Sequence, residues 1–69
     1  MPLTMAKAGE EKEIKRIGGR DGARKFLESL GFVVGAVVSI VSEMNGNLIV
    51  NIKGSRVAIS KEMANKIMI

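Results

Sequence analysis

The sequence predicts a mainly β fold: a small closed or nearly closed β-barrel of about five short strands, with one inserted α-helix over about residues 21–30 and a helical turn near 61–64. Three observations lead there. Apolar residues alternate with period two after Gly35, glycine-bearing turns interrupt the chain repeatedly, and a single stretch, Ala23 to Leu30, has the helical period. A chain of 69 residues builds only one core, so residues 1–69 are expected to form a single domain.

Leu3 to Gly9 reads as an extended lead-in that turns at Gly9. Glu13 to Ile17 is a first strand, stopped by Gly18-Gly19. Ala23, Phe26, Leu27 and Leu30 then fall at i, i+3, i+4 and i+7, which places all four on one helical face and predicts that Phe26 is buried. Asp21 is a suitable N-cap, Gly31 stands where a left-handed C′ residue is wanted, and Phe32 follows at the position that folds back onto the last turn. After Gly35, Val38 and Ile40 point to one side, with Val37, Ser39 and Val41 to the other. Asn45-Gly46 signals a tight I′ hairpin because both residues tolerate positive φ. The return strand Asn47–Lys53 turns Leu48, Val50 and Ile52 to one face, Gly54-Ser55 turns the chain again, and Arg56–Ser60 sends Val57 and Ile59 inward. Ser60 caps a turn through Lys61–Ala64, and Ile67–Ile69 supplies the last strand.

Composition removes most chemistries. The chain has no His, Cys, Trp or Tyr. Without His or Cys there is no disulfide, zinc finger, thiolate nucleophile or neutral-pH acid/base group, so no enzyme is expected, and no catalytic or cofactor-binding residue is assigned. Ser29, Ser39, Ser42, Ser55 and Ser60 lack any spacing that would activate a hydroxyl, and Glu10, Glu11 and Glu13 read as solvated surface carboxylates. Gly18-Gly19-Arg20-Asp21-Gly22 lies between a strand and a helix but has neither the dinucleotide nor the Walker spacing, so its glycines serve the turn. Met1, Met5, Met44, Met63 and Met68 are soft donors; Met63 and Met68 read as core filling. No metal ligand is assigned, and a divalent ion would bind only weakly, on oxygen atoms.

The net charge of +4 raises nucleic acid as a partner. It divides into +3 over residues 7–25, −2 over 26–52 and +3 over 53–66, a mixed field and not a dense stripe. Base stacking would have to rely on Phe26 and Phe32 alone, so no nucleic acid is expected, although a small basic nucleic-acid-binding barrel remains the alternative reading. No stretch approaches the roughly 20 apolar residues of a membrane span, and no basic segment precedes an apolar run as in a secretory signal; a soluble intracellular protein is expected. What remains is protein–protein interaction. Val37, Val41 and Ile49 alternate onto the face expected to be outer, with Ile69 at the chain end, and contiguous apolar area there marks an interface.

The order and spacing of these features resemble the ferrous iron transport protein A (FeoA-like) family from end to end. The resemblance runs through Leu3-Thr4, Ala8-Gly9 and the Ile14/Ile17 strand, then Phe26-Leu27-x-x-Leu30-Gly31-Phe32-x-x-Gly35 and Val38-x-Ile40. It continues in Val50-x-Ile52-x-Gly54-x-Arg56-Val57-Ala58-Ile59 and closes on Glu62-x-Ala64-x-x-Ile67. Val34 stands where the family often has proline, and the compact Asn45-Gly46 turn replaces a longer hairpin. The resemblance implies an SH3-like barrel in the bacterial cytoplasm. Its role would be that of a non-enzymatic regulator of ferrous iron uptake, binding the cytoplasmic part of a ferrous iron permease that carries a GTPase domain. Such a protein is peripheral to the membrane only through its partner, as a monomer or a homo-oligomer. A second implication is a stand-alone SH3-like domain related to iron-dependent repressors, with weak divalent metal binding. Exposed charge and surplus apolar residues select Arg20, Arg24 and Lys25 with Val41, Met44 and Ile49 as the expected partner-binding residues.

Overall fold

The computed structural model describes residues 1–69. In chain order it contains a 3₁₀ turn (Leu3–Met5), β1 (Glu11–Glu13), β2 (Arg16–Ile17), α1 (Asp21–Ser29), β3 (Val37–Met44), β4 (Asn47–Ile52), β5 (Ser55–Ser60), α2 (Lys61–Ala64) and β6 (Ile67–Met68). The fold is mainly β, with six strands in two sheets. Strands β1-β3-β4-β5 form an antiparallel four-stranded sheet in that order, and β2 pairs antiparallel with β6. Thirteen buried residues, all apolar, make one core drawn from both sheets and both helices. The alternation predicted from the sequence is present: Val38, Ile40, Leu48, Val50, Ile52 and Ile59 all point inward.

The turns follow from backbone chemistry. Asn45 and Gly46 have φ of 52° and 81°, the double positive value that a two-residue I′ loop requires between Met44 and Asn47. Helix α1 ends as its sequence predicts: Gly31 (φ 103°) donates to Glu28 O at 2.9 Å and Phe32 to Leu27 O at 3.0 Å, a Schellman closure. Phe32 and Leu27, both fully buried, seal it. Ser60 caps α2, its Oγ accepting from the Met63 N–H at 3.2 Å.

Several expectations are corrected. The lead-in from Leu3 is not extended; Met5 N–H donates to Pro2 O and Ala6 N–H to Leu3 O, both at 3.0 Å, in a turn that lets Leu3 enter the core. The single strand Glu13–Ile17 is two strands serving different sheets. Between them Ile14 N–H donates to Ala36 O at 2.8 Å and Lys15 N–H to Met68 O at 2.7 Å, so the chain changes partners there. Arg20, not Asp21, is the N-cap, and it gives no side-chain cap; Asp21 instead sits in the first turn, where its charge suits the helix dipole. The second hairpin turns at Lys53-Gly54 (φ 49° and 76°), not at Gly54-Ser55. Phe26 is 51% exposed. The buried arc of α1 centres on Leu27, with Ala23 and Leu30 half-buried, and at roughly 100° per residue Phe26 lies outside it. Ile69 is not an outer-face residue but packs on the core, where Ile69 N–H bonds to Met1 O at 2.7 Å.

Candidate interaction surface

The first expected group lies at the start of α1, with Arg20 as its N-cap and Arg24 and Lys25 within it. Leu27 is the one fully buried residue of the helix and Ala23 is half-buried beside it, so the opposite side of the helix faces solvent. Lys25 lies roughly 160° from Leu27 around the axis and points away from the barrel. Arg20, Arg24 and Lys25 are all exposed. None has an acidic partner: the ion pairs of the molecule are Lys12–Glu10 (4.0 Å), Lys15–Glu13 (2.8 Å) and Lys61–Glu43 (2.7 Å).

Sequence reading missed a fourth cation here. Lys66 O accepts from Gly18 N–H at 2.6 Å, and the Lys66 stem crosses Gly19, where a Cβ would stand 2.8 Å from its Cδ. The fold thus joins the two basic blocks of the sequence at the approach to α1. The adjacent glycines were the available signal, since a residue without Cβ permits such contact.

The second group lies beside the Asn45-Gly46 hairpin. Val41 is an extra residue in β3, because Ile40 pairs with Val50 and Ser42 with Ile49. This bulge reverses the alternation, keeping Ile40 inside while Ser42 and Met44 share the outer face with Ile49. Met44 is 61% exposed, whereas Val41 and Ile49 are half-buried. The hairpin tip rests on α2 through Lys61 N–H to Gly46 O (3.3 Å) and the Glu43–Lys61 pair. No hydrogen bond or ion pair links this group to the α1 group, so the six residues form two clusters.

A further feature was not expected: an open groove of about 360 Å³ on the outer face of the four-stranded sheet, lined by Glu11, Val37, Ser39, Asn51 and Lys53 among others. Glu11, Ser39 and Asn51 form one cross-strand row, continued by Arg56. Only the full register across four strands reveals that row. Of the acids, Glu13 is held below its ordinary value of 4.5, chiefly by the hydrogen bond from Lys15 and by that ammonium's charge. No three Asp or Glu side chains converge as a metal-binding cluster, and no helix is long and apolar enough to cross a membrane.

This geometry has close counterparts. The family model described as the FeoA domain matches residues 1–69. The chain belongs to the FeoA domain family. A Methanocaldococcus jannaschii protein named "Putative Fe(2+) transport protein A" is 40% identical over 68 residues, which is 99% of this chain and 83% of that protein. Among solved structures, an iron uptake regulatory protein (FeoA) superposes with a TM-score of 0.89 at 28% identity, over 97% of this chain and 91% of the other. The Stenotrophomonas maltophilia FeoA, described as a prokaryotic SH3 domain protein, matches with a TM-score of 0.86 at 22% identity, over 99% of this chain and 87% of that one. The barrel of this FeoA-domain protein is thus SH3-like, in an iron-transport accessory family.

Proposed function

We propose that the protein is a non-enzymatic regulator of ferrous iron uptake that works in the cytoplasm by binding the cytoplasmic part of a ferrous iron permease with a GTPase domain. Family membership over the whole chain supports the pathway. The observation that carries the mode of action is the exposed trio of the N-cap Arg20 with Arg24 and Lys25 of α1, none of which has an acidic partner within the molecule. Cations held outward by a short helix on a compact barrel suit an acidic protein surface, by steering and by rim contacts. Met44 and the half-buried Val41 and Ile49 offer apolar contact beside the hairpin. Iron is cargo of the partner in this reading and needs no ligand set in this chain.

Calorimetric titration of the purified permease domain with the full chain tests the proposal. Saturable binding is expected, weakened by Arg24→Glu and by Met44→Gln. Absence of binding would overturn the function, and binding unchanged in both variants would overturn the surface. Affinity for a single-stranded oligonucleotide that falls steeply with salt would replace the reading with nucleic-acid binding.

A further inference from the structure

The four-stranded sheet is open at both edges; on the outer face β1 presents Glu11 and Glu13, the latter paired with Lys15 at 2.8 Å, and β5 presents Arg56. A two-residue I′ loop at Lys53-Gly54 makes Ile52 and Ser55 a hydrogen-bonded pair, and bonded and non-bonded pairs alternate from there. Val57 and Ile59 therefore bond to β4. Arg56 and Ala58, opposite Asn51 and Ile49, turn their N–H and C=O groups away from the sheet. Followed across β4 into β3, the same alternation makes Val38 bond to Lys12. Gly9 N–H donating to Ile40 O at 2.9 Å confirms the phase, because Ile40 likewise faces the β1 side. Glu11 and Glu13, on either side of Lys12, then turn their backbone groups outward.

None of the 17 backbone hydrogen bonds outside the regular elements takes up the N–H or C=O of these four residues, and all four are exposed. Open edges are normally blunted by proline, a bulge or several charges. β5 has no proline, no bulge against β4 and one charged residue, Arg56, which has no ion-pair partner.

We propose that β1 of one molecule adds to β5 of a second copy of this chain, with Glu13 opposite Arg56 and Glu11 opposite Ala58. Direction and face agree. Neighbouring strands alternate in direction across the sheet, so a copy set beside β5 brings its β1 antiparallel with the same face outward. Both cross-molecule pairs join residues whose backbone groups point outward, so each can exchange two hydrogen bonds. The outer-face side chains then place the Glu13 carboxylate, one oxygen of which holds Lys15 at 2.8 Å, across from the unpaired guanidinium. The charges select this partner strand over a two-fold β5–β5 pairing, which would bring two Arg56 side chains to one face with no acid between them. The contact is head-to-tail, so it extends as an open chain or closes as a ring.

Sedimentation velocity on the full chain across concentration and salt, with hydrogen exchange at the Arg56 and Ala58 amides, tests this without reference to the permease. The expected result is association at about 0.15 M salt, where the +4 charge of each copy is screened, that slows exchange at both amides as concentration rises. Arg56→Glu and Glu13→Arg should each weaken association about fivefold or more, and the double charge swap should restore it. Ala58→Pro removes an outward N–H without touching a bond to β4 and should abolish association. Circular dichroism checks its fold, and should it not fold, the charge swap decides alone. A monomer at about millimolar protein in about 0.15 M salt overturns the proposal, as does association that Arg56→Glu leaves unchanged or strengthens. The latter, combined with loss in Ala58→Pro, would assign the edge to the two-fold pair.

Discussion

Phe26 and Leu27 are neighbours of similar hydrophobicity, and the structure assigns them opposite weights. Leu27 is fully buried and is the only such residue of α1, whereas Phe26 is 51% exposed. Truncating Leu27 to Ala removes buried methyl groups and leaves a cavity under the helix, a loss of about 2–5 kcal/mol. Full burial of Phe is worth about 1.5–3 kcal/mol, and half-burial about half of that. Ala is also the better helix former by about 0.5 kcal/mol, so Phe26→Ala should cost only about 0.2–1 kcal/mol. A chain of 69 residues has a total stability on the order of 3–10 kcal/mol, so the two variants differ by a large share of it. Urea unfolding measures the contrast, followed by far-ultraviolet circular dichroism because the chain has no Trp or Tyr. With a slope of about 1 kcal/mol per molar, Leu27→Ala should lower the midpoint by about 2 M or more and Phe26→Ala by less than about 1 M. Equal losses, or a larger one at Phe26, would refute the assigned rotation of α1.

Gly31→Ala should lower stability by about 1–2 kcal/mol, read as a drop of roughly 4–16 °C in thermal midpoint. Its cause is the φ of 103°, since the new Cβ would meet Ile52 and Lys53 side chains at an ordinary 3.6 Å. Glu13 gives a pH signature. Its folded pKa lies below the unfolded one, so its contribution is present above about pH 4.5 and is lost as pH falls through the folded value. Glu13→Gln should therefore flatten that part of the acid limb of urea midpoint against pH, and an unaltered limb would exclude the Lys15 contact as its source.

What the sequence disclosed was local. Gly31-Phe32 and Asn45-Gly46 each demand one backbone conformation, and the inward set from Val38 to Ile59 follows from period two within each strand. What it concealed depends on distant partners. The break between β1 and β2 exists because Ala36 and Met68 compete for consecutive residues of one run. A Gly54-Ser55 turn would have kept every apolar residue on its side, but it would set Lys53 directly across from Arg56. The actual register moves Lys53 into the turn and places Asn51 there. Exposure of Arg20, Arg24 and Lys25 was legible because charged residues off an apolar stripe face water. The arrival of Lys66 beside them was not, since it depends on β6 pairing with β2.

The two clusters differ in how freely they can be altered, and that decides how each can be assigned. Arg20, Arg24 and Lys25 are exposed and unpaired, so reversing one of these charges should leave stability within about 0.5 kcal/mol. A loss of partner binding in Arg24→Glu then reports on docking and not on folding. Ile49 is different: it is half-buried between Ser42 and Ala58 in the middle of the sheet, where an acidic replacement would weaken the sheet itself. Met44, 61% exposed on the same face at the strand end, tests that side without disturbing the core. Binding sensitive to Arg24→Glu alone would confine the partner to the helix. Sensitivity to both would require an occupant broad enough to reach two clusters that no internal contact connects.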